Sequence, residues 1–306
     1  MLDTVIIGSG PAGLTAAIYA SRAALDFVVL EKAGYSGGQI VTSNDLDNYP
    51  GMPHVDGASF SMALQDHAEK LGAQIKEAEV TGIERTADGF YVVKVNGGED
   101  IATKSVILST GATPRHLDIP GEREYLSRGV YYCATCDGAF YRNKVTAVVG
   151  GGNTALEDVL FLAKICSKVY LVHRRDELRG DKKSQEKIFA QANVEFVKSA
   201  LPMVVKGDGK KVNALEIEYK KTGKHADLPL DAVFVAVGML PNNELVPDYV
   251  EKDESGYVIA DETGKTSAKG FFVAGDLRTK DLRQVITAAS DGANAVKSVT
   301  DYLNGL

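Results

Sequence analysis

The chain has 306 residues, 44% of them hydrophobic and 25% charged, with a formal net charge of −7. Its length fits about two domains of roughly 150 residues each, and its composition is that of a globular protein able to bury a full core. The acidic balance argues against a generic phosphate-backbone binder, which carries a basic face, so no nucleic-acid partner is expected; three cysteines in so long a chain make no disulfide framework and fit a reducing compartment.

The N-terminus, Met1-Leu2-Asp3-Thr4, runs straight into an apolar strand without a charged leader. No window approaches 18 uninterrupted apolar residues. A cytoplasmic protein with no membrane partner is therefore expected. Thr4-Val5-Ile6-Ile7 reads as a strand buried on both faces. Gly8-Ser9-Gly10-Pro11-Ala12-Gly13 follows, then the helix-forming stretch Leu14 to Arg22 and a second strand, Phe27-Val28-Val29-Leu30, ending in Glu31. Strand, glycine turn, helix and strand in that order make a dinucleotide-binding fingerprint. Gly8 permits the tight turn, Gly10 lets backbone approach a pyrophosphate, and Gly13 lets helix pack on strand. Glu31 can accept hydrogen bonds from ribose hydroxyls. The plainer alternative is a glycine-rich turn without a ligand.

Further along, Phe90-Tyr91-Val92-Val93-Lys94 alternates like a hairpin strand, and Val106-Ile107-Leu108 leads into Thr110-Gly111-Ala112-Thr113-Pro114. Cys133-Ala134-Thr135-Cys136-Asp137 comes next, just ahead of a second fingerprint. A Cys-x-x-Cys pair can be a redox dithiol or a metal site. Between two dinucleotide-binding units the redox chemistry leads. Zinc wants four ligands, and Cys166 stands alone in the helix–strand junction of the second unit as a small buried apolar residue, so no metal is expected.

The second fingerprint runs Lys144 to Val149, Gly150-Gly151-Gly152-Asn153-Thr154-Ala155, a helix from Leu156 to Ala163, and the strand Lys168 to Val172. At the register held by Glu31 in the first unit stands His173, followed by Arg174, Arg175 and Arg179. An acidic residue there would repel a 2′-phosphate, whereas arginine offers it bidentate hydrogen bonds. The first unit thus suits an adenine dinucleotide with free ribose hydroxyls, and the second suits NADP(H). A solvated arginine cluster is the alternative.

Beyond the turn Gly207-Asp208-Gly209, Ala214 to Glu218 alternates again, and Val233-Phe234-Val235 leads into Val237-Gly238-Met239-Leu240-Pro241-Asn242. The two turn-rich crossings, at Gly111 and Gly238, are candidate hinges between domains. Gly270-Phe271-Phe272-Val273-Ala274-Gly275-Asp276 reads as a buried strand ending in a carboxylate placed for a cofactor's polyol. Asp276 reads equally as a helix-initiating turn residue. Arg283-Gln284-Val285-Ile286 opens a long final helix to Leu303, whose N-terminus could stabilise an anionic flavin ring. The expected fold is α/β: two Rossmann-like dinucleotide-binding domains of the three-layer ββα type, the second inserted into the first. The expected boundaries are 1–114 and 244–306 for the first domain and 115–243 for the second.

Taken together, these motifs resemble the low-molecular-weight, bacterial-type thioredoxin reductases. The similarity is carried by Gly8 to Gly13, Gly37-Gly38-Gln39 with Asn48-Tyr49-Pro50-Gly51, Cys133 to Gly138, and Gly150 to Ala155. It continues through His173-Arg174-Arg175 with Arg179, Ala274-Gly275-Asp276 and Arg283-Gln284. It spans essentially the whole chain, and only Gly180 departs, where the family often has alanine. The resemblance implies FAD in the first domain, NADPH in the inserted one, a homodimer, thioredoxin as substrate and a large rotation between domains. Cofactor contacts are then expected from Gly8, Ser9, Gly10, Pro11, Ala12, Gly13, Glu31, Gly38, Gln39, Asn48, Gly111, Asp276, Arg283, Gln284 and Val285. On the NADPH side they are expected from Gly150, Gly152, Asn153, Thr154, His173, Arg174, Arg175 and Arg179.

The resemblance also makes Cys136 the flavin-side sulfur, Cys133 the thiol that attacks thioredoxin, and Asp137 the acid/base that protonates the departing thiolate. Chemistry agrees, since an attacking thiol titrating near about 8.5 needs a lowered pKa or a nearby proton acceptor. Asp137 as a mere helix cap is the plainer alternative. Phe140 and Tyr141 form either a docking surface for a protein disulfide or part of the core. His54, His67, His116 and His225 form no ligand pattern and are expected at the surface.

Three rivals share parts of this pattern. They are the same scaffold driven by reduced ferredoxin, a dithiol oxidase passing electrons to oxygen, and a non-catalytic redox sensor. A ferredoxin-driven relative is expected to lack the arginine pair and the second glycine turn, and both are present. An alkyl-hydroperoxide reductase flavoprotein would need an extra N-terminal thioredoxin-like region.

Overall fold

The computed structural model describes residues 1–43 and 46–306, and in it the chain divides into two compact units. Met1–Thr113 and Leu240–Leu306 form one, and Pro114–Met239 forms the other, inserted into it.

The first unit opens with β1 (Leu2–Ile7), α1 (Pro11–Arg22), β2 (Phe27–Glu31), α2 (Gly57–Lys70), β3 (Ile75–Glu77), β4 (Val80–Arg85), β5 (Tyr91–Val95) and β6 (Ile101–Leu108). The first helix starts three residues earlier than the sequence suggests. Pro11 tolerates the first turn because its missing N–H would be unpaired there anyway. A short segment, β7 (Ala112–Pro114), leads out of this unit.

The inserted unit comprises β8 (Val130–Tyr131), α3 (Ala134–Asp137), β9 (Val145–Gly150), α4 (Asn153–Leu162), β10 (Lys168–Val172), α5 (Lys182–Phe189), β11 (Val194–Val197), β12 (Ala200–Gly207), β13 (Val212–Tyr219), β14 (Lys224–Pro229) and β15 (Ala232–Ala236). The chain returns through β16 (Met239–Pro241), which pairs with β7, and ends with β17 (Phe271–Val273) and α6 (Val285–Leu303).

In the first unit β3, β2, β1 and β6 form a parallel sheet. Strand β6 serves two further partners along its length. Its start, Ile101–Thr103, pairs antiparallel with β5, and its end, Val106–Leu108, pairs parallel with β17. Both faces are covered, as the unbroken apolar runs require. Ile6, Val29, Ile107 and Phe272 face Ala16, Ala17, Ala295 and Val299 of α1 and α6. Val5, Ile7, Val28 and Leu108 face the hairpin residues Ile83, Tyr91 and Val93 together with Val246 and Val258.

The inserted unit repeats the plan. Five parallel strands lie in the order β11, β10, β9, β15, β8. One face, through Val148, Leu171 and Phe234, packs on Leu156, Val159 and Leu162 of α4. The other, through Ala147, Val149 and Val233, packs on the antiparallel β12–β13–β14 meander at Leu215, Ile217 and Leu228. The molecule is an α/β protein with two Rossmann-like units. Among the described residues no helix is long and apolar enough to cross a membrane.

Candidate active site

In the first unit the glycine turn brings α1 close to the end of β1. Gly8 has φ +98°, and a Cβ there would lie 2.6 Å from the Ser109 carbonyl oxygen; a Cβ on Gly13 would lie 1.9 Å from that of Gly8. Neither position admits a side chain. Gly10 differs, because a Cβ there would meet nothing closer than the Gly37 oxygen at 4.0 Å, and one on Gly38 would sit 3.6 Å from Gly10 Cα. Gly10 also caps α1 without any side-chain hydrogen bond. An open cradle walled by glycine, with uncapped helix amides at its base, fits a pyrophosphate.

Glu31 does more than the sequence suggests. Its Oε2 accepts the Ser9 N–H and hydroxyl, each at 2.7 Å, and Oε1 accepts the Ala33 N–H at 2.9 Å. The carboxylate therefore locks the turn, and an ionised carboxylate still has lone pairs for ribose hydroxyls. Nearby, Gln39 Nε2 donates to the Ala112 carbonyl beside Gly111, whose φ is +70°. Asn48 Nδ2 donates to Gln284 Oε1 at 2.9 Å across 236 residues of sequence.

At the same carboxyl end of the sheet Asp276 follows Gly275 after β17, and a Cβ on Gly275 would lie 3.0 Å from Ala12 Cβ. Asp276 Oδ1 is buried without a protein partner, and burial raises the carboxyl's pKa. Asp276 does not initiate the final helix. Gln284 does, in a capping box with Thr287, leaving Val285 as the first helical residue. Arg283 stacks over Tyr257 at 4.1 Å from the ring centroid, with its Nε buried and unpaired.

The second turn has the same form. A Cβ on Gly150 would lie 2.4 Å from the Ala236 oxygen, whereas one on Gly152 would meet nothing within 4 Å. Gly152 caps α4, again without a side-chain bond. Thr154 is exposed, and Asn153 Oδ1 is occupied by the Asp181 N–H at 2.8 Å. The Gly151 oxygen accepts the N–H groups of Arg179 at 2.7 Å and Gly180 at 3.1 Å, tethering the arginine loop to the turn.

His173 is buried under this turn, close enough that a Cβ on Gly151 would lie 2.4 Å from its ring. Burial first, then Arg179, Arg175 and Arg174, hold its pKa below the ordinary value, so the ring shapes the turn as a neutral group. Arg174, Arg175 and Arg179 are exposed. Gly180 has a local reason: a Cβ there would lie 2.3 Å from Leu156 Cδ1, so alanine would have to displace that side chain.

Cys133 and Cys136 are joined as a disulfide, with Cα atoms 5.3 Å apart across the single turn of α3. Cys133 Sγ also accepts the Cys136 N–H at 3.2 Å. Asp137 closes the turn and is 8% exposed; it stands at the N-cap of the short 3-10 turn Gly138–Tyr141, where its side chain makes no capping hydrogen bond. Burial pushes its pKa up to about 7.

The turn rests on α4, where a Cβ on Gly138 would come 2.8 Å from Leu162 Cδ2. Phe140 is 51% exposed, whereas Tyr141 packs edge-on against Tyr131 and Phe234. The pair therefore splits between surface and core. Cys166 is free and buried, its Sγ 3.3 Å from the Tyr141 oxygen, and among the described residues no cluster could hold a metal ion.

Two groups beside the dithiol have no sequence signature. Asp158 of α4 is buried, hydrogen-bonded by the Ala134 N–H, and raised by burial to about 7. On the chain entering Cys133, Tyr132 donates to Glu122 Oε1 at 2.9 Å and lies 2.6 Å from His116 Nδ1. Glu122, 1% exposed, also accepts the Leu117 and Asp118 N–H groups. His116 keeps an exposed edge, and His54, His67 and His225 are exposed as expected.

Residues 2–292 match the family model for pyridine nucleotide-disulphide oxidoreductases. The chain belongs to that family. It is 41% identical over 305 residues to a thioredoxin reductase of Treponema pallidum, covering 99% of this chain and 98% of that one. A Helicobacter pylori thioredoxin reductase is 40% identical over 311 residues, covering 99% of each. The crystal structure of thioredoxin reductase from Streptococcus pyogenes has a TM-score of 0.94 at 41% identity, over 100% of this chain and 99% of that one. A pyridine nucleotide-disulphide oxidoreductase needs a nicotinamide nucleotide, a flavin and a redox-active disulfide. Glycine-walled cradles at two helix N-termini and the Cys133–Cys136 bond match those needs in kind.

The raised Asp137 pKa has a measurable consequence. An unfolded aspartate titrates near about 3.9, so between about pH 4 and about pH 7 the folded chain holds a proton that the unfolded chain has lost. This group's contribution to stability therefore falls as pH rises through that window. Asp137→Asn should raise the thermal midpoint above that of the unaltered protein at about pH 8, with the difference vanishing toward about pH 4. Parallel midpoints at all pH values would contradict it.

Proposed function

We propose that this protein is an NADPH-dependent thioredoxin-disulfide reductase, with residues 1–114 and 244–306 holding FAD and residues 115–243 holding NADPH. One observation carries this reading. A closed Cys133–Cys136 disulfide stands directly ahead of an arginine-flanked glycine turn, in a chain similar from end to end to thioredoxin reductases. The family resemblance further supports a homodimer working in the cytoplasm.

The chemistry that bound FAD would supply is two-electron transfer between a nicotinamide ring and the disulfide. The chain's own groups do the rest. In the first unit Gly10 and the first amides of α1 receive the pyrophosphate, Glu31 the adenine-side ribose and Asp276 the polyol. In the second, Gly152 and the first amides of α4 receive the NADPH pyrophosphate, while Arg174 and Arg175 grip the 2′-phosphate.

Two electrons and two protons open the disulfide to the Cys133 and Cys136 thiols. The Cys133 thiolate attacks one sulfur of the thioredoxin disulfide, forming a mixed disulfide and expelling a thioredoxin thiolate. Asp137, poised near about 7, protonates a departing thiolate. Cys136 then attacks Cys133, releasing reduced thioredoxin and restoring the bond.

Cys133→Ser and Cys136→Ser should each abolish NADPH-dependent reduction of thioredoxin while the protein stays yellow. Full turnover by either variant would refute the dithiol role. Arg174→Ala with Arg175→Ala should raise the KM for NADPH roughly 10- to 100-fold, the range for losing charge-assisted hydrogen bonds, and leave that for NADH unchanged. An unaltered preference would reject the 2′-phosphate assignment.

A further inference from the structure

The most heavily bonded carboxylate of the first unit is one that the functional reading does not use. Asp291, on α6, is 1% exposed. Its Oδ2 accepts the Gly275 N–H at 2.9 Å, Arg278 Nε at 2.8 Å and Lys280 Nζ at 2.7 Å, and its Oδ1 accepts Arg278 Nη2 at 2.7 Å. Both cations are buried, with side chains 2% and 4% exposed. Arg278 makes further bonds to the Thr279 carbonyl at 2.9 Å and to Glu262 at 3.0 Å. All the donors to Asp291 come from the short segment around Asp276, one immediately before it and two just after.

Asp276 itself is left out of this network, its Oδ1 buried with no protein partner. A buried carboxylate oxygen close to a buried ammonium would ordinarily be paired with it. Lys280 and Arg283 are the cations whose charge acts on Asp276; Lys280 turns to Asp291 instead, and Arg283 stacks over Tyr257 and donates to the Arg278 carbonyl at 3.4 Å. We propose that Asp291 is a positioning residue for the flavin site: it fixes the Gly275–Asp276 turn and holds Lys280 away, so that the Asp276 carboxylate stays open to the cofactor's polyol. This rests on the first unit being the flavin-binding one. The lysine is the critical partner, because its flexible stem lets it swing to Asp276 once released, whereas Arg278 is held by several acceptors.

The test titrates FAD into deflavinated full-length protein and follows quenching of flavin fluorescence. Asp291→Asn should weaken FAD at least tenfold. Adding Lys280→Met to that variant should recover most of the loss, because no ammonium remains to occupy Asp276. Asp291→Glu, which keeps the buried charge balance but shifts the carboxylate, should also weaken FAD and serves if the asparagine variant does not fold.

Unchanged affinity in Asp291→Asn, or in Asp291→Glu where that variant stands in, would overturn the inference. So would weakened affinity that Lys280→Met fails to restore, since that is the mark of a role in folding alone. Should the unaltered protein bind no FAD, the flavin assignment itself falls and the inference with it.

Discussion

A helix can begin within reach of a strand's carboxyl end only if the turn joining them carries no side chain in the way. This steric condition is met twice in the chain, by Gly8 and Gly13 in one unit and by Gly150 in the other, where Ala155 brings only a methyl. The reward is a helix N-terminus whose first amides have no partner and whose approach is unobstructed, over Gly10 in one case and Gly152 in the other. Everything proposed for cofactors follows from those two openings. A side chain at Gly8, Gly13 or Gly150 would break the turn, and one at Gly10 or Gly152 would reach into the cradle.

The two openings diverge in what surrounds them. Glu31 closes the first turn onto Ser9 and makes that rim acidic. In the second unit the corresponding register carries a buried neutral imidazole, with three exposed guanidinium groups beyond it. One scaffold thereby presents two rims of different charge, set by the residues at the strand end rather than by any change of fold. The dithiol adds a third chemistry to the same framework. It stands in a single helical turn laid on α4, beside two carboxyls, Asp137 and Asp158, whose burial raises their pKa to about 7.

Much of this was legible in the sequence because the informative residues are local. Each glycine turn, its flanking strands and the Cys133–Cys136 pair fall within short windows, where unbroken apolar runs and glycine spacing speak directly to backbone geometry. Helix starts were less so: Pro11 and Asn153 belong to first turns that the glycine motif obscured. What stayed hidden is long-range. Glu122 meets Tyr132 because a loop folds back on the strand before Cys133, and Asn48 meets Gln284 across most of the chain. Asp291 meets Arg278 and Lys280 only because α6 lies against the turn that follows β17. Nothing in the spacing of such residues distinguishes them from surface charge. The two readings of Phe140 and Tyr141 were separable only by packing, one ring outward and one against Phe234.

The central claim is that reducing equivalents from a nicotinamide nucleotide arrive at the Cys133–Cys136 bond. Flavin-loaded protein can be mixed with NADPH without oxygen, quenched with a thiol-alkylating reagent and mapped by peptide mass spectrometry. Alkylation of both Cys133 and Cys136 in the NADPH sample, and of neither in its absence, is the predicted result. A pair that stays oxidised while NADPH is consumed would contradict the account.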